Sequence, residues 1–169
     1  MKKIVIIGGL GYLGTELCKI YSGESWSNKI IAIDSRFISE RVNQLKEWNI
    51  EFFQGHILDL DFLKKHLKRF ISTSDIIINI LPKTLETKNF VNRNFLNSMK
   101  KKSLLINIGR GDTIDENALI MHSRKNENFM AILDVFKNEP LKKNHCKCVN
   151  ARWEGYLPYL VGVSRVWFT

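Results

Sequence analysis

The chain has 169 residues, 44% of them apolar and 25% charged, the balance of a soluble globular protein with room for one domain and a normal core. No apolar run approaches the roughly 20 residues that cross a bilayer, and the run after Lys2 and Lys3 ends in a glycine turn, so neither a membrane span nor a signal peptide is expected. The formal charge of +9 is spread over Lys64-Lys65, Lys68-Arg69, Lys100-Lys101-Lys102 and Lys142-Lys143 without interleaved aromatic residues, which argues for solvated surface and against nucleic acid.

The first segment, Lys3-Ile4-Val5-Ile6-Ile7, is β-branched and apolar, and predicts a buried parallel strand over 3–8. It runs into a glycine turn, Gly8-Gly9-Leu10-Gly11-Tyr12-Leu13-Gly14, and then into a helical pattern that places Leu13, Leu17, Ile20 and Tyr21 on one face. Glycines in this setting let the backbone turn tightly and approach a pyrophosphate, whose charge rests on the unpaired N–H groups and positive end of the helix. A second apolar strand, 30–34, closes on Asp34, twenty residues after Gly14, where a carboxylate can accept hydrogen bonds from a ribose 2′-hydroxyl. The turn is therefore expected to bind a dinucleotide, with Gly8, Gly9, Gly11, Tyr12, Leu13, Gly14, Asp34, Ser35 and Arg36 around it. Asp34 would repel a 2′-phosphate, so NAD is expected over NADP, although Arg36 could pair with such a phosphate.

A weaker helical pattern over roughly 39–48 holds Val42, Leu45 and Lys46, and a third strand is expected over 51–55. Leu60, Leu63, Leu67 and Phe70 recur at helical spacing over 59–71 after a cap at Asp59. Strand 75–81 follows, then a helix around Asn94, Phe95, Leu96 and Met99, strand 104–109, a helix capped by Asp115 with Ala118, Leu119 and His122, and strand 129–135. Strands alternating with helices predict an α/β fold: a single Rossmann domain over 1–141, built on a six-stranded, doubly wound parallel sheet with helices on both faces. Residues 142–169 have no clear period and are expected to form an irregular C-terminal tail, either a cap on the sheet edge or a disordered stretch. Three cysteines, Cys18, Cys146 and Cys148, make an odd count without a disulfide framework and suit a reducing cytoplasm. His145, Cys146 and Cys148 are three soft ligands without an evident fourth, so no metal is expected.

Residues 1 to about 70 resemble the extended short-chain dehydrogenases and reductases, the sugar-nucleotide epimerases and dehydratases. The resemblance rests on Gly8, Gly11 and Gly14, on Asp34, and on Gly55-His-Ile-Leu-Asp59. It implies an adenine contact for Asp59, which a helix cap explains equally well. That family's catalysis implies a tyrosine with a lysine four residues later, and Tyr12, Tyr21, Tyr156 and Tyr159 are followed at that distance by Glu16, Ser25, Leu160 and Val163.

Residues 71–141 resemble a second family, the NAD-binding domain of D-isomer-specific 2-hydroxyacid dehydrogenases. The carrying residues are Ser74-Asp75-Ile76-Ile77, Leu81-Pro82-Lys83-Thr84-Leu85-Glu86-Thr87, Asn107-Ile108-Gly109-Arg110-Gly111, Asp115-Glu116-Asn117-Ala118-Leu119 and Leu133-Asp134-Val135-Phe136, with Glu139-Pro140. The resemblance implies that Arg110 binds a substrate carboxylate and polarises its carbonyl, a task suited to a planar guanidinium. It implies that Asp134 lies by the nicotinamide ribose, that Leu81, Pro82, Ile108 and Gly109 border the cofactor, and that Glu139 orients a catalytic histidine and raises its pKa. Where that histidine is implied, about twenty residues on, the chain reads Leu157-Pro158-Tyr159-Leu160. A neutral tyrosine, with a pKa near 10, exchanges protons poorly near neutral pH.

Together these readings imply NAD as cofactor and hydride transfer to or from a small 2-keto or 2-hydroxy acid, in a cytoplasmic protein that acts as a homodimer or with a partner chain supplying the acid/base. An NAD-binding module without turnover and a sugar-nucleotide epimerase or dehydratase are the alternatives.

Overall fold

The computed structural model describes residues 2–23, 29–56, 59–62, 66–139 and 160–162. The six expected strands form: β1 (Lys3–Ile7), β2 (Lys29–Asp34), β3 (Glu51–Gln54), β4 (Ile76–Asn79), β5 (Leu104–Asn107) and β6 (Met130–Leu133). All are parallel, in the order β3-β2-β1-β4-β5-β6, and a seventh strand, β7 (Leu160–Gly162), pairs with β6. The expected six strands are thus extended at one edge, and part of the segment read as irregular is ordered. Three residues are too few to show a period, and what orders them is the open backbone ladder of β6.

The observed strands stop short of several expected ends because the chain leaves the ladder where the loops begin. Helices α1 (Tyr12–Gly23) and α2 (Ser39–Glu47) accompany β1 and β2; α3 (Leu60–Phe62), α4 (Lys68–Thr73), α5 (Arg93–Ser98) and α6 (Glu116–Lys125) accompany the later strands. Side chains alternate across the sheet. Ile4, Ile6, Ala32 and Ile78 pack with Cys18, Val42 and Leu45 on one face. Val5, Ile7, Ile33, Ile77 and Leu105 pack with Phe62, Phe70, Phe95, Leu96 and Leu119 on the other. The winding reverses between β1 and β4, the switch point at which open α/β sheets bind ligands.

The caps expected at Asp115 and Asp59 form, and Asn92 supplies one the sequence reading did not name. Asp115 accepts from the Ala118 N–H at 3.1 Å, and Asn92 accepts from the N–H groups of Asn94 and Phe95. Asp59 accepts from Asp61 and Phe62 N–H groups at 2.9 and 3.1 Å, so its carboxylate caps α3. Of the apolar residues expected to line that helical region, Leu67 and Phe70 are buried, and Leu63 lies outside the described residues.

Helix α1 departs from expectation in part: Leu17 and Tyr21 pack against the core as expected, but two other residues of that face do not. Its buried residues are Gly14, Thr15 and Cys18, while Leu13 and Ile20 are 43% and 54% exposed. Close approach is the reason. A Cβ on Gly14 would lie 2.5 Å from the Gly8 carbonyl oxygen, so only a face of small residues lets the helix start this near the turn. Burial pushes the Cys18 thiol up to about 12, which leaves it a packing group and not a nucleophile.

Candidate functional site

At the C-terminal edge of the sheet, over the switch point, lies a cleft of about 500 Å³, within the range of small-molecule sites. Its lining includes Gly8, Gly11, Tyr12, Leu13, Asp34, Ser35, Arg36, Leu81 and Pro82, all expected from the sequence. Gly8, at φ +95°, makes the left-handed step that turns the chain from β1 towards α1. Its N–H and that of Gly9 both donate to the Ile33 carbonyl, at 2.8 and 3.0 Å, pinning the turn to β2. Gly9 and Gly14 do not line the cleft; they allow it to form. A Cβ on Gly9 would meet Ala32 Cβ at 2.8 Å, as one on Gly14 would meet the Gly8 carbonyl.

Asp34 ends β2 almost fully buried and holds the turn directly. Its Oδ2 accepts from the Leu10 N–H at 3.0 Å, and its Oδ1 accepts from the Arg36 N–H at 3.0 Å. The Arg36 guanidinium closes the pair, with Nε to Oδ1 at 3.1 Å and Nη2 to Oδ2 at 3.2 Å. That hydrogen bond raises the Arg36 pKa. The first-turn N–H groups of α1 have no intrahelical acceptors, and Tyr12 and Leu13 of that turn line the cleft, so turn and helix end together fit the pyrophosphate of a dinucleotide, with Asp34 and Arg36 at its ribose end.

The opposite wall comes from the loop after β4. Ile80, Leu81, Pro82, Thr84, Glu86 and Thr87 line it, and Thr87 Oγ1 donates to the Pro82 carbonyl at 2.6 Å. Glu86 Oε2 lies 3.3 Å from Nε2 of His56, which stands on the far wall after β3. The sequence reading missed His56, Thr84, Glu86 and Thr87. Glu86 and the threonines sit inside the Leu81-to-Thr87 motif, whose residues after Pro82 were a findable signal; His56 sits inside the Gly55-to-Asp59 motif, from which only Asp59 was singled out.

Arg110, Ile108, Gly109 and Asp134 sit on the same edge, after β5 and β6, outside the cleft lining. A buried polar network fixes the Arg110 loop. Asn79 Nδ2 donates to Asn107 Oδ1 at 3.0 Å and to Thr113 Oγ1 at 2.7 Å. Thr113 Oγ1 donates to the Arg110 carbonyl at 2.7 Å, and Asn107 Nδ2 donates to it at 3.3 Å. All three side chains of the network are fully buried, and sequence reasoning did not assign Asn79 or Thr113 any role. The loop after β4 is stitched to this one by the Lys83–Asp112 ion pair at 3.0 Å, in which the ammonium holds the Asp112 carboxyl below its ordinary range. Gly109 packs against the Leu81 carbonyl, which a Cβ would meet at 2.6 Å. The Arg110 guanidinium is exposed, with Nη1 donating to the Gly109 carbonyl at 2.9 Å.

Asp134 is exposed after β6, its N–H on the Asn107 carbonyl at 3.0 Å. Glu139 Oε1 accepts from the Phe136 N–H at 2.7 Å, closing its own turn. The described imidazoles have other neighbours: His56 has Glu86, His66 has Phe53, Phe62 and Phe70, and His122 has Phe129 at 4.7 Å. Asp59, the cap of α3, is not part of the cleft lining. His145, Cys146, Cys148 and Tyr159 lie outside the described residues, among which no cluster of three metal-ligating side chains occurs. Also among the described residues, no helix is long and apolar enough to cross a membrane.

Residues 1–152 match the NAD binding domain of D-isomer specific 2-hydroxyacid dehydrogenases. The match starts at residue 1, so the N-terminal half falls under the same family as the second. Glyoxylate reductase of Aeropyrum pernix is 32% identical over 143 residues, covering 85% of this chain and 38% of that protein. D-3-phosphoglycerate dehydrogenase of Synechocystis is 32% identical over 146 residues, covering 86% of this chain and 23% of that protein. The chain thus spans well under half the length of these relatives. A crystal structure of D-lactate dehydrogenase with NAD+ from Lactobacillus jensenii superposes with a TM-score of 0.73 at 21% identity, covering 99% of this chain and 47% of that one, and shares the fold.

Proposed function

The chain belongs to the D-isomer specific 2-hydroxyacid dehydrogenase family as its NAD-binding domain, and on that premise we propose that it serves the interconversion of a small 2-keto acid and its 2-hydroxy acid. The observation that carries the reading is the pairing, on one sheet edge, of the dinucleotide cleft with an exposed Arg110 whose loop is pinned from beneath by Asn107 and Thr113. When bound, NAD(H) accepts or supplies hydride at its nicotinamide. Arg110 holds the substrate carboxylate with two charge-assisted hydrogen bonds and draws electron density from the neighbouring carbonyl. Asp134 orients the nicotinamide ribose from the end of β6. In the reducing direction hydride reaches the carbonyl carbon and one proton must reach its oxygen. Glu139 supports the group that carries that proton, which another part of the protein or a partner chain supplies.

A second reading is a module that binds NAD(H) without turnover. What favours it is that Glu139 Oε1 is engaged within its own turn, accepting from the Phe136 N–H at 2.7 Å. Epimerase chemistry draws no support beyond the glycine spacing of residues 8–14, which both families share.

The test is a fluorescence titration with NADH followed by addition of glyoxylate, pyruvate, hydroxypyruvate and longer 2-keto acids while absorbance is followed. Oxidation of NADH that is lost in Arg110→Ala supports the dehydrogenase reading. Tight NADH binding with no oxidation by any acid supports the module, and absence of NADH binding overturns both.

A further inference from the structure

The Asp34 carboxylate has no acceptor capacity left for a ribose. An ionised carboxylate offers about four lone-pair sites. In this chain all are engaged, by the Leu10 N–H, the Arg36 N–H, and Nε and Nη2 of the Arg36 guanidinium. A ribose hydroxyl must displace the guanidinium to reach Asp34. Arg36 itself is far from saturated: of a guanidinium's five N–H donors, two go to Asp34, leaving three. Its side chain is 59% exposed against 4% for Asp34, and a Cβ on Gly11 would lie 3.8 Å from Nη2, which places the guanidinium over the glycine turn at the mouth of the cleft.

The charges at this end point the same way. Arg41 Nη1 donates to the Leu10 carbonyl, so a second guanidinium flanks the turn. Asp34 and Arg36 form a neutral pair, to which Arg41 adds a positive charge beside the turn and the dipole of α1 adds its positive end, while the cleft's other carboxylate, Glu86, lies on the opposite wall. Repulsion of a 2′-phosphate by Asp34, the usual physical ground for exclusive use of NAD, is cancelled by a neighbour two residues away.

We propose that Arg36, braced on Asp34 above Gly11, forms a subsite for a phosphate on the 2′ carbon of the adenosine ribose, so that the cleft takes NADP(H) as well as NAD(H). The proposal rests on the cleft being the dinucleotide site. Asp34 acts here as a brace that holds the guanidinium plane with its remaining N–H groups directed away from the carboxylate, a geometry a lysine ammonium cannot reproduce.

The experiment is a fluorescence titration of the whole chain with NADH and with NADPH, at two ionic strengths, for the wild type, Arg36→Gln and Arg36→Lys. ADP-ribose and 2′-phospho-ADP-ribose serve as competitors that lack nicotinamide. The wild type should bind NADPH within about tenfold of NADH, and NADPH binding should weaken more steeply with salt. Arg36→Gln should move the ratio of the two affinities against NADPH by roughly 10- to 100-fold, the weight of a charge-assisted contact. Arg36→Lys should fall between, and the competitors should repeat the ratio. A melting curve shows that each variant is folded. Wild-type NADH binding with NADPH more than about tenfold weaker overturns the subsite alone, as does an Arg36→Gln variant whose ratio does not move. Failure of the wild type to bind either dinucleotide overturns the cleft reading itself, and the subsite with it.

Discussion

Thr113→Val removes one oxygen from a site with no access to water and leaves the side-chain shape intact. Two bonds are lost: the 2.7 Å donation to the Arg110 carbonyl and the 2.7 Å acceptance from Asn79 Nδ2. The carbonyl keeps donors in Asn107 Nδ2 at 3.3 Å and the residue 113 N–H at 3.2 Å, so it is not orphaned. The Asn79 amide is. One of its N–H groups still has Asn107 Oδ1, and the other is stranded in the core, at a cost of about 1–3 kcal/mol. Adding about 1 kcal/mol for the second bond, less a partial gain from burying a methyl in place of a hydroxyl, the net loss is about 2–3 kcal/mol. For a chain of this size that lowers Tm by roughly 4–12 °C. Urea titration should show the midpoint falling with the slope unchanged, because the surface exposed on unfolding is the same. Thr113→Ser keeps the oxygen and should lose about 1 kcal/mol or less. A Thr113→Val loss below about 0.5 kcal/mol, the range of a neutral surface change, would refute the view that this network carries the Arg110 loop.

Gly14→Ala puts a methyl 2.5 Å from the Gly8 carbonyl oxygen and 2.9 Å from the Gly9 backbone, so α1 or the turn must shift. NADH affinity should fall by about tenfold or more and stability by roughly 1–3 kcal/mol, checked by fluorescence titration and melting; unchanged values would contradict the close-approach account of α1. His122 is buried against Phe129, and burial lowers its pKa below the ordinary 6.5. The unfolded chain therefore takes up the proton first as pH falls, so this residue costs stability from about pH 6.5 down through its lowered folded value and costs nothing above it. Melting curves from pH 7.5 to 5 should show a decline in Tm that is shallower in His122→Gln, and equal slopes would sink the assignment.

Much of this protein is legible in the chain itself. The six strands, the doubly wound order of helices and the caps at Asp115 and Asp59 follow from local pattern, because β-branched runs and capping residues act within a few positions of themselves. The glycine turn was equally plain, since Gly8, Gly9 and Gly14 answer to steric demands of neighbours close in sequence or on the next strand. The exposure of Leu13 and Ile20 on α1 was not: Leu17 and Tyr21 of the same pattern pack against the core, but the close approach of Gly14, Thr15 and Cys18 turns the other two outward, and no helical period records that. The β7 strand was missed for a related reason, because its order comes from the free edge of β6 and not from its own three residues.

At the site, residue types were readable and their commitments were not. From the sequence Asp34 is a ribose acceptor and Arg36 a possible counter to it; only the folded turn, which brings the Leu10 N–H and the guanidinium onto one carboxylate, shows the acceptor already filled. Likewise Asn79 and Thr113 are 34 positions apart and unremarkable until parallel pairing of β4 with β5 sets Asn79 beside Asn107 and beneath Arg110. Sequence thus determined which chemical groups the edge of the sheet would carry, because those are written residue by residue. Tertiary structure decided which of those groups are already hydrogen-bonded to each other and which still face a ligand, because that depends on neighbours the chain meets only by folding.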